Sequence, residues 1–362
     1  MIEQSDKNII ISANRVCWEG EIRVYDVSGR VLFEGMGCTQ PLKRGVYFVR
    51  IGNRIHHHKM TLPDLFNPYA WAVKLLRSSS KPKTPDIFSI NIGNLRMGGT
   101  GKTPLVIELA RRIESSAIIT LGYGRKFKGL YTSREHPDPY HLGDEGYMIF
   151  KKTGRDVIAS KDRFKAVEIA RSYGAKVLIF DDAFQYFKLR AHLNLLILRP
   201  ADLKSNVFPF GPLREPFESF KFSDAIIFNL KTSKETPKFP DLGKPTFIMR
   251  YQIEGIEYMG KVLDLKGLKI FAFCGIADPF SFINSLKNGG AEVVGYRIFP
   301  DHWWIGERTL EGILKASKRL NAIPVCTEKD FYRLGREEVG FLKISTVLEG
   351  GFWEFLKSKL PL

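Results

Sequence analysis

Two hydrophobic periodicities divide the chain. Before about residue 58, apolar and polar positions alternate, most clearly over 21–35 (EIRVYDVSGRVLFEG) and 44–53 (RGVYFVRIGN), with Ser-Gly and Arg-Gly steps where the alternation breaks. A period of two with such turns predicts half-buried strands, so 1–59 reads as a small all-β unit. Farther along, the pattern changes to short apolar runs separated by stretches of helical period. The runs predict strands over 87–92, 117–121, 156–159, 176–180, 193–198, 224–228, 245–249, 269–274, 292–298 and 323–326. The stretches predict helices over 102–114, 144–152, 162–173, 279–288 and 307–319. This alternation predicts an α/β fold, a mostly parallel sheet with helices on both faces and ligands at the carboxyl ends of its strands.

Between the two regions, 62–76 sets Phe66, Tyr69, Trp71, Val73 and Leu76 among few charges, beside Lys74 and Arg77. It predicts a short helix that docks on a membrane surface or on the body of the protein. Residues 250–268 read as a hairpin or short connection between two α/β halves. The expected organisation is therefore 1–59 all-β, 60–86 docking helix and linker, 87–268 first α/β core, and 269–362 C-terminal α/β lobe.

A length of 362 residues suits two or three domains, and 44% hydrophobic with 26% charged residues excludes gross disorder. Lysine and arginine total 55 against 39 acidic residues, a net charge of +16. Such a surface attracts polyanions: phospholipid head groups, phosphorylated sugars or nucleic acid. Basic clusters lie at Arg125, Lys126 and Lys128, at Lys151, Lys152 and Arg155, and at Lys161, Arg163 and Lys165. No motif with interleaved aromatics points to nucleic acid, and no feature marks an obligate protein partner.

The four cysteines are scattered without a C-x-x-C spacing, which fits a reducing cytoplasm rather than a disulfide framework or a zinc site. The opening MIEQSDKNIIIS lacks the basic and apolar regions of a signal peptide, and no run of about 18 apolar residues occurs, so any membrane contact is expected to be peripheral. His56, His57 and His58 are consecutive on an expected strand, where side chains alternate faces, and do not suit one metal ion.

The strongest chemical signal is the apolar strand Ile90–Ile92 running into Gly93, Asn94, Leu95, Arg96, Met97, Gly98, Gly99, Thr100, Gly101, Lys102 and Thr103, then a helix. Glycines let backbone N–H groups converge on phosphate oxygens at the positive end of a helix. Lys102 reaches the β and γ phosphates, and the Thr103 hydroxyl ligates magnesium. The common phosphate-loop pattern asks for glycine at 96, where the chain has arginine. A second signal is Val177–Phe180 followed by Asp181 and Asp182, a buried strand ending in two carboxylates that suit magnesium beside the phosphates. Together they predict a P-loop NTPase-like fold, a nucleoside triphosphatase or kinase that works with Mg2+.

These motifs resemble the tetraacyldisaccharide 4'-kinase family over roughly 62–362. Its loop, Gly-Asn-x-x-x-Gly-Gly-Thr-Gly-Lys-Thr, matches Gly93 through Thr103 and accounts for the missing glycine. Family blocks also resemble Asp181-Asp182-Ala183-Phe184-Gln185-Tyr186, Leu213-Arg214-Glu215-Pro216, Gly143-Asp144-Glu145 and Pro300-Asp301-His302. Ala183, Tyr186 and Gly146 depart from the family's glycine, histidine and proline, and Leu121–Arg125 from its usual Ser-Arg-Gly-Tyr stretch. The resemblance implies a kinase that uses ATP to phosphorylate the 4'-hydroxyl of a lipid A disaccharide 1-phosphate on the cytoplasmic face of the inner membrane, an anionic surface. It implies Asp144 as the base for the sugar hydroxyl and His302 as its partner. Lys102 and Arg214 would neutralise phosphate charge, and Thr103, Asp181, Asp182, Gln185 and Glu215 would be candidates for the magnesium shell.

Residues 24–30 with 45–50 resemble the β-sandwich sorting domain that ends many type IX-secreted proteins, which suggests that 1–59 is a fused or mis-started extension.

Other readings stay open at this point. Asp144 could cap the helix that follows it, Asp301 and His302 could belong to a loop packed by Trp303 and Trp304, and Glu328, Lys329 and Asp330 could face the nucleotide or the surface. A P-loop GTPase would share the phosphate loop, but Asn229–Thr232 and Thr327–Asp330 both miss the Asn/Thr-Lys-x-Asp spacing that reads guanine. A non-catalytic anion-binding module would have no use for an Asp144 and His302 pair.

Overall fold

The computed structural model describes the backbone of 9–12, 15–25, 31–38, 45–51 and 54–60, and the chain over 67–361. The expected Ser-Gly turn at 28–29 and residues 62–66 of the docking segment lie outside the described residues. So do the side chains of His56, His57 and His58. By contact density the chain forms two compact units, Met1–Ser78 with Asn206–Pro216, and Ser79–Ser205 with Phe217–Leu362.

In the first unit, β1 (Ile9–Ser12), β2 (Arg15–Tyr25), β3 (Val31–Cys38), β4 (Gly45–Ile51) and β5 (Arg54–Met60) form an antiparallel sheet. The helix α1 (Pro68–Ser79) follows. The Asn67 side chain accepts from the Tyr69 and Ala70 N–H groups at 3.1 and 3.2 Å, which starts α1 where proline removes one donor. Asn67 also donates to the Phe208 carbonyl at 2.9 Å, and Tyr69 meets Phe208 edge to face at 5.6 Å. Residues 206–216 thereby join this unit.

The second unit begins with β6 (Phe88–Asn94), α2 (Lys102–Arg112), β7 (Ser116–Thr120) and β8 (Tyr131–Thr132), and continues with α3 (Pro139–Leu142), α4 (Asp144–Thr153), β9 (Val157–Ala159) and α5 (Arg163–Ser172). After these come β10 (Val177–Asp181), β11 (Leu193–Leu198), β12 (Ala225–Lys231), β13 (Thr246–Tyr258) and β14 (Lys261–Leu263). The chain closes with β15 (Lys269–Cys274), α6 (Pro279–Asn288), β16 (Glu292–Ile298), α7 (Glu307–Arg319), β17 (Ile323–Thr327), α8 (Glu328–Leu334), β18 (Gly340–Glu349) and α9 (Phe352–Lys359).

One sheet of 13 strands runs through this unit in the order β16-β15-β17-β18-β13-β12-β11-β6-β10-β7-β9-β8, with β14 beside β13. It is parallel except at β8/β9, β13/β14 and β13/β18. Strands β6, β7, β10, β11 and β12 are buried almost throughout, as strands covered on both faces must be. The strand before the glycine loop, β6, lies between β10 and β11, where the chain's progress across the sheet reverses. That is the crevice in which open α/β sheets bind ligands. The predicted mostly parallel fold is therefore present, with its two halves meeting at the antiparallel β13/β18 pair.

Two features differ from the expectation, and a third agrees with it. The strand predicted over 245–249 continues to Tyr258 because it pairs with β18 over its length, with a bulge at Ile253/Gly255. The predicted hairpin is β13–β14, turning at Met259 and Gly260, both with positive φ. The elements β18, α8 and α9 were not predicted.

Candidate active site

The loop between β6 and α2 is braced from within. Asn94 ends β6, and its side-chain amide donates to the Arg96 carbonyl at 2.8 Å and to Thr100 Oγ1 at 2.9 Å. Gly98 and Gly101 take φ of +92 and +96, which favours residues without a side chain. At Gly101 a Cβ would lie 2.2 Å from Tyr251 Oη and 2.3 Å from Asn229 Nδ2. Asn229 donates to the Thr100 carbonyl and to Tyr251 Oη, each at 2.8 Å. Burial pushes the Tyr251 hydroxyl up to about 12, so it remains neutral. Arg96 is not in the left-handed region and needs no glycine there. Its guanidinium is drawn to buried Asp202 at 2.5 Å and to Ser205 at 3.3 Å. Gly101 caps α2 without a side chain, so the first-turn N–H groups face the loop as an anion site.

Strand β10 carries the paired carboxylates to the same crevice, with Asp181 in register with Ile92 of β6. Phe184 packs so closely on β6 that a Cβ at Gly93 would stand 2.3 Å from its Cβ. Asp182 has φ +61, a conformation that aspartate tolerates better than most residues, and its carboxylate lies 3.6 Å from Lys102 Nζ. Asp181 is buried, takes one bond from Thr120 Oγ1 at 3.4 Å, and keeps Oδ1 without a hydrogen-bond partner. Burial first, and the Glu145 carboxylate second, push Asp181 up to about 7 against the pull of Lys102 and Arg163.

That excess of negative charge and the orphaned oxygen suit a divalent cation beside phosphates. Among the described residues no group of three or more His, Cys, Asp or Glu converges on one ion. Gln185 donates to the Asn94 carbonyl at 2.9 Å. Glu215 receives the Arg77 guanidinium of α1 at 2.7 Å, and the Arg214 carbonyl accepts from Tyr69 Oη at 3.1 Å, all within the first unit.

Asp144 is the first residue of α4. Gly143 precedes it as cap with φ +80 and no side-chain bond, so Asp144 does not serve as the cap. Its carboxylate is buried, with Oδ2 accepting from Arg333 Nη1 at 2.9 Å and meeting His302 Nδ1 at 3.0 Å. Its Oδ1 has no hydrogen-bond partner. His302 is held at φ +59, with Lys329 Nζ 3.5 Å from its Nε2 and the Tyr123 ring edge-on at 4.7 Å. Lys329 also pairs with Asp301 at 3.1 Å, which places it in this cluster rather than on an open surface. The buried Arg333 pairs with Asp330 as well, and Asp330 accepts the Gly275 N–H at 3.0 Å.

The structure thus gathers Lys102, Thr103, Asp181, Asp182, Asp144 and His302 in one unit. Sequence reasoning missed Arg333, Tyr123 and Glu145. Arg333 joins the site through α8, where it stands three residues after Asp330 and so shares its face.

The family model for tetraacyldisaccharide-1-P 4'-kinase matches residues 68–361. The tetraacyldisaccharide 4'-kinase of Aquifex aeolicus is 34% identical over 273 residues, spanning 72% of this chain and 84% of that protein. That of Rhodopseudomonas palustris is 32% identical over 255 residues, spanning 68% and 74%. The crystal structure of LpxK from Aquifex aeolicus in complex with ATP superposes with a TM-score of 0.66 at 30% identity, covering 83% of this chain and 98% of that one. On its sequence and its fold, the chain belongs to the tetraacyldisaccharide-1-P 4'-kinase family.

Proposed function

We propose that this protein transfers the γ-phosphoryl group of ATP to the 4'-hydroxyl of a tetraacyldisaccharide 1-phosphate, a step of lipid A assembly. The observation that carries this reading is the Asp144 carboxylate. It is buried, fixed through Oδ2 by Arg333 and His302, and leaves Oδ1 without a partner. A carboxylate so held can accept a hydroxyl proton at Oδ1 while the sugar oxygen bonds to the γ-phosphorus and the bond to the ADP oxygen breaks. His302 and Arg333 hold the carboxylate in its orientation.

Lys102 and the first-turn N–H groups of α2 hold the phosphates. Thr103, Asp181 and Asp182 would hold magnesium, with Gln185 beside them. Bound there, magnesium supplies charge neutralisation on the β- and γ-phosphate oxygens. Among the described residues no helix is long and apolar enough to cross a membrane. The proposed approach to the lipid is peripheral, through α1 and basic surface on the cytoplasmic face of the inner membrane.

The test is transfer of radiolabelled γ-phosphate from ATP to lipid A disaccharide 1-phosphate in detergent micelles, comparing the full chain with Asp144→Ala. Transfer by the parent that falls by about a hundredfold or more in the variant supports the reading. Equal rates would remove Asp144 as base, and no transfer by a folded, ATP-binding parent would overturn the kinase assignment.

A further inference from the structure

The two helices that carry the Asp144 cluster are tied at both ends. Asp144 opens α4, and Arg333 stands near the end of α8; their ion pair is 2.9 Å, with both side chains at most 1% exposed. At the opposite ends, Lys152 in the last turn of α4 donates to Glu328, the first residue of α8, at 2.6 Å. The helices therefore run antiparallel, with one buried ion pair near the site and one remote from it. Both remote charges also suit their helix ends, a carboxylate at an N-terminus and an ammonium at a C-terminus.

The helix of the phosphate loop joins the same remote point. Arg111, near the end of α2, donates to the Lys152 carbonyl at 3.4 Å, and Arg155 donates to the Ala110 carbonyl at 3.1 Å. Burial pushes the Glu328 carboxyl up, while Lys152 and Arg111 pull it down and Glu257 pushes it up. Glu257 is itself paired with Lys343 of β18 at 2.9 Å. Three helices whose near ends carry Lys102, Asp144 and Arg333 thus meet at their far ends around Lys152 and Glu328.

We infer that Lys152 and Glu328 are positioning residues for phosphoryl transfer: their ion pair sets α4 against α8, and so holds Asp144 in register with Arg333 and His302. This rests on the kinase reading above. A rotation or slide of α8 would move Lys329 and Arg333 together, since Lys329 follows Glu328 directly. Asp144 would then lose the donors that fix Oδ2, while the phosphate loop, braced separately by Asn94 and Asn229, would stay in place.

The experiment compares the full-length protein with Glu328→Gln, Lys152→Gln and the charge exchange Lys152→Glu with Glu328→Lys, each checked for folding by circular dichroism. The expected result in either single variant is a kcat about tenfold lower, an unchanged KM for ATP, and substantial recovery of kcat in the exchange. Two single variants are carried so that the outcome does not depend on one of them folding. A folded single variant with a lower melting temperature and unchanged kcat would overturn the inference and leave the kinase reading standing. Loss of ATP binding in step with kcat would show a general loosening instead of positioning, and would also overturn it. No transfer by the parent would sink both readings together.

Discussion

Asp144 and Asp181 are both buried carboxylates with one orphaned oxygen, yet their surroundings differ. Asp144 sits between Arg333 and His302, whereas Asp181 has Glu145 and Asp182 as neighbours and is pushed from 3.8 to about 7, by burial most of all. A carboxyl whose folded value is raised binds a proton in the native state that the unfolded chain has released. Its stabilisation is complete below pH 3.8 and is lost as pH rises through about 7. The metal-free, nucleotide-free protein should therefore lose a few degrees of melting temperature between pH 5 and 8 through this group. Asp181→Asn should flatten that decline and raise the midpoint at pH 8; scanning calorimetry in EDTA across that range measures it. An unchanged slope in the variant would place the proton elsewhere. Much of this site was legible in the sequence, because loop glycines, Lys102, Thr103 and the Asp181 and Asp182 pair lie in contiguous motifs. Arg333 and Tyr123 were not legible, since nothing local in the chain says that α8 and the 121–125 loop close on His302.

At the scale of the element, the β6–loop–α2 segment depends on close approach as much as on phosphate geometry. Gly93 faces Phe184, where a Cβ would come within 2.3 Å of a Cβ that cannot swing aside, while a Cβ at Gly99 would meet nothing within 4 Å. Overpacking of this kind costs about 1–3 kcal/mol. Gly93→Ala should lower the melting temperature by several degrees and weaken ATP binding, because Phe184 and the neighbouring Asp181 and Asp182 are pushed off β6. Gly99→Ala should leave the melting temperature within about a degree. Thermal melts with and without ATP separate the two, and equal behaviour would mean that the loop, not the strand contact, sets stability. The elements that periodicity revealed are those with long or strongly apolar runs, such as β10, β11 and α7. Helices α8 and α9, of 7 and 8 residues, are too short to show a helical period, and β18 is only half buried beyond its first residues. The antiparallel β13/β18 seam is a long-range pairing with no local signature, which is why the 250–268 segment read only as a hairpin or connection.

For the molecule as a whole, two independent forces would bring it to its lipid, and they can be separated. The net charge of +16 favours anionic head groups at a distance, and salt screens that attraction over about 8–10 Å at physiological strength. On α1, Leu75 is 67% exposed and Lys74 is exposed beside it, while the Arg77 guanidinium is engaged by Glu215. Apolar anchoring is thus expected of Leu75, and electrostatic capture of the wider basic surface. Burying a leucine contributes about 1.5–3 kcal/mol, so Leu75→Glu should weaken binding to vesicles by tenfold or more at any salt. Raising the salt should weaken the parent's binding to anionic vesicles toward its level on zwitterionic ones, without abolishing the Leu75 contribution. Sedimentation with both vesicle types, at low and high salt, reads the two effects separately. If Leu75→Glu sediments like the parent in every condition, α1 is not the anchor. If the parent binds both vesicle types equally at low salt, the excess positive charge serves the phosphorylated substrate and nucleotide instead of the membrane.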